Sequence, residues 1–194
     1  MKVLLHACCG PCLLEPFDAL VAEHDVTVLY ANPNIHPVAE YRHRRDTLLE
    51  YAVTQDIEVI EEPYDPAAWM QAVAGLEREP ALRCRACFEL RLGIAARTAA
   101  SLGMDAIATT LTVSPYQDQS AVAEAGEAAA AAAGVIYLDV DFRERYPEAT
   151  RRSRELGMYR QNYCGCMLSD IEAEREREAR REERRRLREA ARQG

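Results

Sequence analysis

Short apolar segments alternate along the chain with longer stretches in which apolar residues recur at helical spacing. The short segments are mostly aliphatic or β-branched, which is typical of strands buried in a parallel sheet. They predict strands at residues 2–6, 25–31, 57–61, 105–110 and 135–140. The longer stretches predict helices at residues 11–23, 38–55, 66–75, 85–103 and 120–133. This alternation predicts a Rossmann-like α/β fold, with a five-stranded parallel sheet and helices on both faces.

The end of the chain is polar throughout. Residues 170–189 contain eight acidic residues and eight arginines, with opposite charges spaced four apart, as in Glu176 and Arg180. Such pairs stabilise an exposed helix, and this reading is favoured over a binding arm. A chain of 194 residues suits one domain. We therefore expect a single α/β domain at residues 1–170 and a charged C-terminal helix at residues 171–194.

The overall charge limits the ways in which the protein can bind nucleic acid. The chain has 24 basic and 32 acidic residues, a formal net charge of −8, which opposes attraction of the whole surface to phosphate. Any RNA must therefore meet a local patch. The segment from Arg143 to Arg160 holds six arginines and three glutamates, and residues 42–45 form a second basic stretch. Solvated helix faces are the alternative interpretation of both stretches.

No apolar run approaches the roughly 18 residues that cross a bilayer, and the N-terminal apolar run is too short for a signal peptide. These features predict a cytoplasmic protein with no membrane partner. In a reducing compartment, seven cysteines indicate metal ligands or redox groups rather than structural bridges.

The cysteines form three clusters along the chain: Cys8, Cys9 and Cys12; Cys84 and Cys87; and Cys164 and Cys166. The first cluster follows the first predicted strand, and the second opens a predicted helix. Ligands of an open parallel sheet collect at the switch point, where we expect the first strand to neighbour the fourth. The first two clusters can meet there.

The spacing of Cys84 and Cys87 places two thiols about one turn apart at the predicted start of a helix. A helix N-terminus lowers the pKa of a thiol, and the thiolate is the form that binds metal. Four thiolates suit either zinc or an iron–sulfur cluster. A structural zinc does not need a position in the substrate crevice, so the pattern favours a catalytic metal centre.

The last cluster, Cys164-Gly165-Cys166, has one residue between its cysteines. A disulfide between them would close a small, strained ring, for which glycine provides the backbone freedom. Strained and accessible disulfides are the labile ones, so the pair fits an electron donor or relay. Extra metal ligands are the alternative.

The chemistry-bearing residues fall into four motifs in a fixed order: His6-Ala7-Cys8-Cys9-Gly10-Pro11-Cys12, Arg83-Cys84-Arg85-Ala86-Cys87, Thr109-Thr110-Leu111 with Ser114-Pro115-Tyr116, and Tyr159-Arg160-Gln161-Asn162-Tyr163-Cys164-Gly165-Cys166. Over nearly the whole chain they resemble the epoxyqueuosine reductase QueH family. The resemblance implies an adenine-nucleotide-hydrolase-like α/β fold and a [4Fe-4S] cluster. It also implies an oxidoreductase that converts epoxyqueuosine to queuosine at the tRNA wobble position, the last step of queuosine biosynthesis.

The resemblance also implies roles for individual cysteines. Four would bind the cluster: Cys8, Cys9, Cys84 and Cys87. Cys164 and Cys166 would form a redox-active disulfide at the catalytic site. Cys12 or a nearby carboxylate would serve an additional iron. The implied partners are a tRNA with epoxyqueuosine in its anticodon loop and an unidentified electron donor.

Other polar residues are candidates for contact with the substrate. Possible proton donors are His6, Tyr116, Tyr159 and Tyr163. Three hydroxyls near the end of the fourth predicted strand, on Thr109, Thr110 and Ser114, suit a diol or ribose. Ordinary turn chemistry is the alternative for them.

Two other functions compete with the reductase. One is a zinc-stapled RNA-binding module. The other is an ATP-dependent tRNA-modifying enzyme of the same fold. Related ATP-using enzymes carry a Ser-Gly-Gly-x-Asp-Ser loop after the first strand, where this chain has Cys8-Cys9-Gly10-Pro11-Cys12. The replacement argues against adenylation.

Overall fold

Five parallel strands form one sheet in the structure, a computed structural model that describes residues 1–161 and 163–193, with side chains up to residue 186. The strands are β1 (Lys2–His6), β2 (Asp25–Tyr30), β3 (Val59–Glu61), β4 (Ala106–Thr109) and β5 (Ile136–Tyr137). Their order across the sheet is β3-β2-β1-β4-β5, and all neighbours run parallel. The predicted five-stranded parallel sheet is confirmed.

The helices are α1 (Gly10–Val21), α2 (Val38–Thr54), α3 (Pro66–Ala72), α4 (Pro80–Ser101), α5 (Gln119–Ala133), α6 (Tyr146–Glu155) and α7 (Met167–Gln193). Short 3-10 segments follow β4 at Thr110–Val113 and precede α6 at Arg143–Arg145. Helix α6 is not among the helices predicted from apolar periodicity, and it lies in the segment for which a solvated helix face was the alternative interpretation. The charged C-terminal helix is present, but it begins four residues before position 171, and residue 194 lies outside the described residues.

Helices cover both faces of the sheet, as predicted. Successive side chains of a strand point to opposite faces, so Val3 and Leu5 of β1 pack on one side and Leu4 on the other. The first side carries α1 and α2, for example through Leu48. The second side carries α4 and α5, with Ala95 in the same cluster as Leu4. The apolar core therefore lies in two layers around β1.

The first and fourth strands are neighbours, so the predicted switch point is confirmed. His6 at the end of β1 is in register with Thr109 at the end of β4. Helix α1 begins at Gly10, and Pro11 occupies its first turn, where the missing N–H costs no hydrogen bond. The loop with the first cysteine cluster therefore lies at the edge of the sheet where ligands bind in folds of this kind.

The starts of α4 and α5 also differ from the predictions. Helix α4 begins at Pro80, five residues earlier than expected, with proline again in the first turn. Helix α5 begins after Asp118, whose carboxylate accepts a hydrogen bond from the backbone N–H of Ala121 at 3.1 Å. Asp118 is therefore the N-cap, and α5 begins one residue before the predicted start at position 120.

Ion pairs attach the last two helices to the rest of the domain. Arg152 of α6 lies 2.6 Å from Glu15 and 2.6 Å from Asp18, both on α1. Glu172 of α7 lies 2.8 Å from the buried Arg83 of α4. Among the described residues, no helix is both long enough and apolar enough to cross a membrane.

Candidate metal centre and redox loop

The loop between β1 and α1 gathers three thiols. The sulfur atoms of Cys8, Cys9 and Cys12 all lie within 4.8 Å of one another. The backbone N–H of Cys8 donates to the Thr110 hydroxyl at 3.1 Å, which ties the loop to the end of β4. The same hydroxyl lies 3.5 Å from the Cys8 sulfur. We call Cys8, Cys9 and Cys12 the sulfur triad.

Hydrogen bonds make the three thiols of the sulfur triad unequal. Those from Cys12 and Cys9 hold the pKa of Cys8 well below its ordinary value. Burial raises the pKa of Cys9 to about 12, and hydrogen bonds with Cys8 and Cys9 raise the pKa of Cys12. The triad therefore favours one thiolate supported by two thiols. A metal ion would take the place of the two protons.

The donor chemistry of the sulfur triad fits a metal. Thiolates select zinc, copper(I) and iron–sulfur clusters over harder cations. With metal–sulfur bonds of about 2.3 Å, two sulfurs on one tetrahedral ion lie about 4 Å apart. The sulfurs of Cys8 and Cys9 are 3.9 Å apart. The triad could therefore hold a metal ion without a large change of the loop.

The second cluster borders the first. Cys84 and Cys8 pack against the same apolar cluster, which includes Phe88. Cys87 is buried beside Trp69 in a neighbouring cluster. The group of sulfurs within 4.8 Å does not include Cys84 or Cys87 in the described part of the chain.

The prediction that a helix N-terminus lowers the pKa of Cys84 and Cys87 was wrong. Because α4 begins at Pro80, both thiols lie beyond the free N–H groups of its first turn. Burial instead raises the pKa of Cys84 to about 11, and burial also raises that of Cys87. At neutral pH these thiols are protonated, and a metal that binds them displaces the protons.

A buried arginine outside the four motifs influences the pKa of one thiol in each of the three clusters. Arg91 is 4% exposed, and its Nη2 donates to Asn32 Oδ1 at 2.6 Å. Its charge favours the thiolate forms of Cys8 and Cys164 and opposes the effect of burial on Cys87. Arg91 follows Cys87 by one helical turn, and this spacing is the signal that could have found it.

The third cluster lies in the segment before α7, which we call the redox loop (residues 163–166). The sulfurs of Cys164 and Cys166 are 3.6 Å apart; Cys164 is exposed and Cys166 is buried. A hydrogen bond from Cys166, helped by Ser169, lowers the pKa of Cys164 to about 6. Hydrogen bonding to Cys164 raises the pKa of Cys166. The exposed thiol is therefore the more reactive of the two.

Gly165 allows the close approach of the redox loop to the domain. Its φ of 113° lies in the left-handed region, which favours glycine. A Cβ at this position would lie 2.9 Å from Ile35 Cγ1 and 3.0 Å from Arg44 Nη1. The backbone N–H of His36 donates to the Gly165 carbonyl at 2.8 Å. A side chain at position 165 would therefore push the redox loop away from the domain.

Arg44 anchors the redox loop from α2. Its Nη1 donates to the Cys164 carbonyl at 3.1 Å, and its Nε donates to Glu40 Oε1 at 2.7 Å. The second oxygen of Glu40 accepts from the Tyr159 hydroxyl at 2.7 Å. Arg44 is only 2% exposed. This residue of the basic stretch at 42–45 therefore faces the protein interior and not a binding partner.

A glutamine links the redox loop to the sulfur triad. Gln161 Nε2 lies 2.9 Å from the Cys9 sulfur, so the residues before the redox loop contact the first cluster. Besides burial, the charge of Cys164 raises the pKa values of Cys84 and Cys87, so the three cysteine clusters lie near one another at the C-terminal edge of the sheet.

His6 serves the structure. Its Nε2 lies 3.3 Å from the Ala31 carbonyl, and its Nδ1 lies 2.9 Å from the Thr109 hydroxyl. A carbonyl can only accept, so Nε2 carries the proton and Thr109 donates to Nδ1. Burial lowers the pKa of His6 to about 3. His6 is therefore neutral and is a poor candidate proton donor.

The remaining candidate residues for substrate contact differ in their exposure and in their hydrogen bonds. Burial raises the pKa values of Tyr159 and Tyr163 to about 12, and the Tyr163 hydroxyl donates to the His36 carbonyl at 2.9 Å. Tyr116 is 83% exposed. The Ser114 hydroxyl accepts from the Tyr116 N–H at 3.3 Å, which is turn chemistry.

The fold has a counterpart among solved structures. It is similar to a predicted subunit of tRNA methyltransferase from Methanocaldococcus jannaschii, with a TM-score of 0.50 and 11% sequence identity over 81% of this chain and 89% of that chain. At this identity the likeness concerns the fold alone.

Curated relatives are more similar in sequence. Epoxyqueuosine reductase QueH of Streptococcus pyogenes is 35% identical over 87% of this chain and 70% of the relative. The protein of that name from Dehalococcoides mccartyi is 35% identical over 88% of this chain and 93% of the relative. The Thermotoga maritima protein of that name is 33% identical over 88% of this chain and 91% of the relative. The family model described as epoxyqueuosine reductase QueH matches residues 3–172. The chain therefore belongs to the epoxyqueuosine reductase QueH family.

Proposed function

We propose that this chain reduces epoxyqueuosine to queuosine at the wobble position of tRNA. One observation carries the proposal: in a member of the QueH family, a group of thiols that could hold a metal lies near a pair of thiols of which one, Cys164, is exposed. A tRNA substrate of this kind would place the enzyme in the cytoplasm.

The reaction sets the requirements for the site. An epoxide that becomes an alkene loses its oxygen as water, which takes two electrons and two protons. Oxidation of two thiols to one disulfide releases the same two electrons and two protons. The dithiol form of Cys164 and Cys166 therefore supplies the two electrons and two protons of one turnover. An external electron donor must reduce the resulting disulfide before the next turnover.

For the metal, we assign four thiol ligands of a [4Fe-4S] cluster: Cys8, Cys9, Cys84 and Cys87. The shared packing of Cys8 and Cys84, and the position of Arg91 beside Cys8 and Cys87, support this set. When bound, the cluster supplies electron transfer and, with an accessible iron, a Lewis acid for the epoxide oxygen. Cys12, the third member of the sulfur triad, is the candidate ligand of an additional iron.

The protein's own groups hold the dithiol ready for exchange. Arg44 fixes the backbone of the redox loop, and Gly165 lets that backbone lie against Ile35. The exposed Cys164 is the thiol that an external donor can reach, while the buried Cys166 closes the disulfide. This division of roles is the one that thiol–disulfide exchange requires.

Ion pairs within the protein reduce the number of arginines that are candidates for contact with tRNA. Four arginines of the segment from Arg143 to Arg160 pair with carboxylates of the protein: Arg143, Arg145, Arg151 and Arg152. Within the described side chains, Arg154 and Arg160 have no carboxylate within 4.0 Å, and both are exposed. Arg160 also lies four residues before Cys164, so a phosphate bound there would be close to the redox loop.

We therefore expect Arg160→Ala to weaken tRNA binding and to reduce the salt dependence of the affinity by about one unit in the log–log slope. Filter binding at several salt concentrations measures both quantities. Arg151→Ala is the matched control, because Arg151 is exposed but already paired with Glu148 and Glu155. Equal effects of the two substitutions would place the tRNA contact elsewhere.

The direct test of the function is turnover. The reduced, anaerobically purified chain is incubated with tRNA that contains epoxyqueuosine, and the nucleosides are analysed by mass spectrometry. We expect queuosine to form, with the loss of one oxygen atom. Unchanged epoxyqueuosine with a fully loaded, reduced protein would contradict the proposal.

The competing functions predict other results. A zinc-stapled RNA-binding module would contain zinc and no acid-labile sulfide. An ATP-dependent enzyme needs free backbone N–H groups in a phosphate loop. Here the N–H of Cys8 is bonded to Thr110, and a Cβ on Gly10 would lie 3.1 Å from Thr47 Cγ2, so this glycine allows close packing of α1 on α2. An ATP titration without saturation is the expected result.

A further inference from the structure

Three arginines are almost fully buried, and one of them has no acidic partner. Arg44 and Arg83 are each 2% exposed, and Arg91 is 4% exposed. Arg44 lies 2.7 Å from Glu40, and Arg83 lies 2.8 Å from Glu172. Over the side chains that the structure describes, no carboxylate lies within 4.0 Å of Arg91. Arg91 is therefore the exception that needs a physical explanation.

Hydrogen bonds do not compensate the charge of Arg91. Its Nη2 donates to the neutral amide of Asn32 at 2.6 Å, and its buried Nε has no hydrogen-bond partner. Asn32 is itself fixed, because its Nδ2 donates to the Ala7 carbonyl at 2.9 Å. A buried charge that lacks an opposite charge strongly destabilises a folded protein. The compensating negative charge must therefore come from the groups that surround the guanidinium.

Those surroundings are dominated by thiols. Cys87 lies one turn before Arg91 on α4, and Asn32 connects Arg91 to the carbonyl of Ala7, the residue before Cys8. The charge of Arg91 also favours the thiolate forms of Cys8, Cys87 and Cys164. Another titratable neighbour is His6, whose pKa is lowered by burial and by the charge of Arg91, so it stays neutral. Among these neighbours, the thiolates are the groups that carry negative charge.

We propose that Arg91 is the counter-cation of the thiolate-bound metal centre. Four cysteine thiolates around an iron–sulfur core leave the group with a net negative charge, and reduction adds another electron. Arg91 compensates this charge, and it stabilises the reduced form more than the oxidised form. The inference rests on the metal centre of the proposed function, and it assigns Arg91 to charge compensation, separate from the ligands.

The proposal predicts unequal effects of one substitution on the metal-free and the loaded forms of the protein. Arg91→Met removes the charge but keeps an unbranched apolar side chain. In the metal-free chain, Arg91 faces only the thiolates of Cys8 and Cys164, so the substitution should lower its stability to urea less than it lowers that of the loaded chain. The loaded chain, in contrast, loses iron to a chelator about tenfold faster, which is the usual effect of removing an outer group that supports a metal site.

The reduction potential gives a third measurement. Removal of a positive charge disfavours the reduced centre, so the potential of Arg91→Met falls. A tenfold change in the equilibrium constant for one electron corresponds to about 59 mV. Arg91→Lys retains the charge, and we expect its potential and its iron retention to lie closer to the wild type than those of Arg91→Met.

One optical probe follows both forms. Trp69 is the only tryptophan of the chain, and it is buried in the same cluster as Cys87. Its fluorescence reports unfolding in urea and, by loss of quenching, the release of iron. Arg44→Met is the matched control for stability, because it leaves the largely buried Glu40 without its partner. It should destabilise the metal-free chain.

The outcomes separate the inference from the proposed function. A wild-type protein without iron and sulfide would overturn the metal centre and, with it, the role of Arg91. A loaded wild type whose iron retention and potential are unchanged in Arg91→Met would overturn the role of Arg91 alone. Equal destabilisation of the metal-free and loaded forms by Arg91→Met would assign Arg91 a structural role and would also overturn the inference.

Discussion

Substitution of Cys84 or Cys87 by serine is expected to strip the metal centre and to abolish reductase activity. A serine hydroxyl stays protonated at neutral pH and cannot replace a thiolate ligand of iron. Both side chains are held by α4, so the loss of one ligand cannot be made good by movement of a flexible loop. Iron and acid-labile sulfide per chain, measured after anaerobic purification, should fall to a small fraction of the wild-type values.

Cys12→Ser is the control that distinguishes the proposed four ligands from the sulfur triad. Cys12 belongs to the sulfur triad but not to the proposed four ligands of the cluster. We expect this variant to keep its sulfide and to lose at most an additional iron. If Cys12→Ser lost all iron while Cys84→Ser and Cys87→Ser kept it, the metal would be bound by the triad and the proposed ligand set would be wrong.

The sheet and the position of the site could be predicted from the sequence because buried parallel strands leave a strong pattern. Val3, Leu4 and Leu5 are all fully buried, so β1 forms a continuous apolar run. Once β1 is placed next to β4, the rule for ligand position in parallel sheets locates the cysteine loop. These predictions depend on local composition and on a general rule of topology.

Helix α6 could not be predicted because its residues carry almost no apolar pattern. Only Ala149 and Ser153 are buried in it. It is attached to α1 by the ion pairs of Arg152 with Glu15 and Asp18. Periodicity of apolar residues cannot reveal a helix that is held by charge.

The buried arginines were missed for a related reason. Arginine is normally exposed, so Arg44 was grouped with its neighbours as part of a basic surface stretch. Its burial depends on Glu40 one turn earlier and on the carbonyl of Cys164, which is 120 residues away. The first contact is visible in the sequence as the spacing of four residues between Glu40 and Arg44. The second exists only in the folded protein, and it is the one that connects Arg44 with the redox loop.

Substitution of Cys164 or Cys166 by serine is expected to leave the iron and sulfide content unchanged and to abolish multiple turnover. Neither variant can form the disulfide, so oxidation of the dithiol can no longer supply two electrons and two protons. We expect a fall in multiple-turnover rate of at least about 100-fold, equivalent to about 2.7 kcal/mol in the activation free energy. Loss of iron in these variants would instead make the two cysteines metal ligands, which is the alternative that the sequence left open.

The two variants should also differ from each other. Cys166→Ser leaves the exposed thiol of Cys164, whose thiolate can still accept hydrogen bonds from the new hydroxyl and from Ser169. It should therefore form a trapped mixed disulfide with a small dithiol reductant, detectable as added mass. Cys164→Ser leaves only the buried thiol with a raised pKa, and it should not form the adduct. Equal trapping by both variants would contradict the assignment of Cys164 as the thiol that meets the electron donor, because burial of Cys166 then would not restrict exchange.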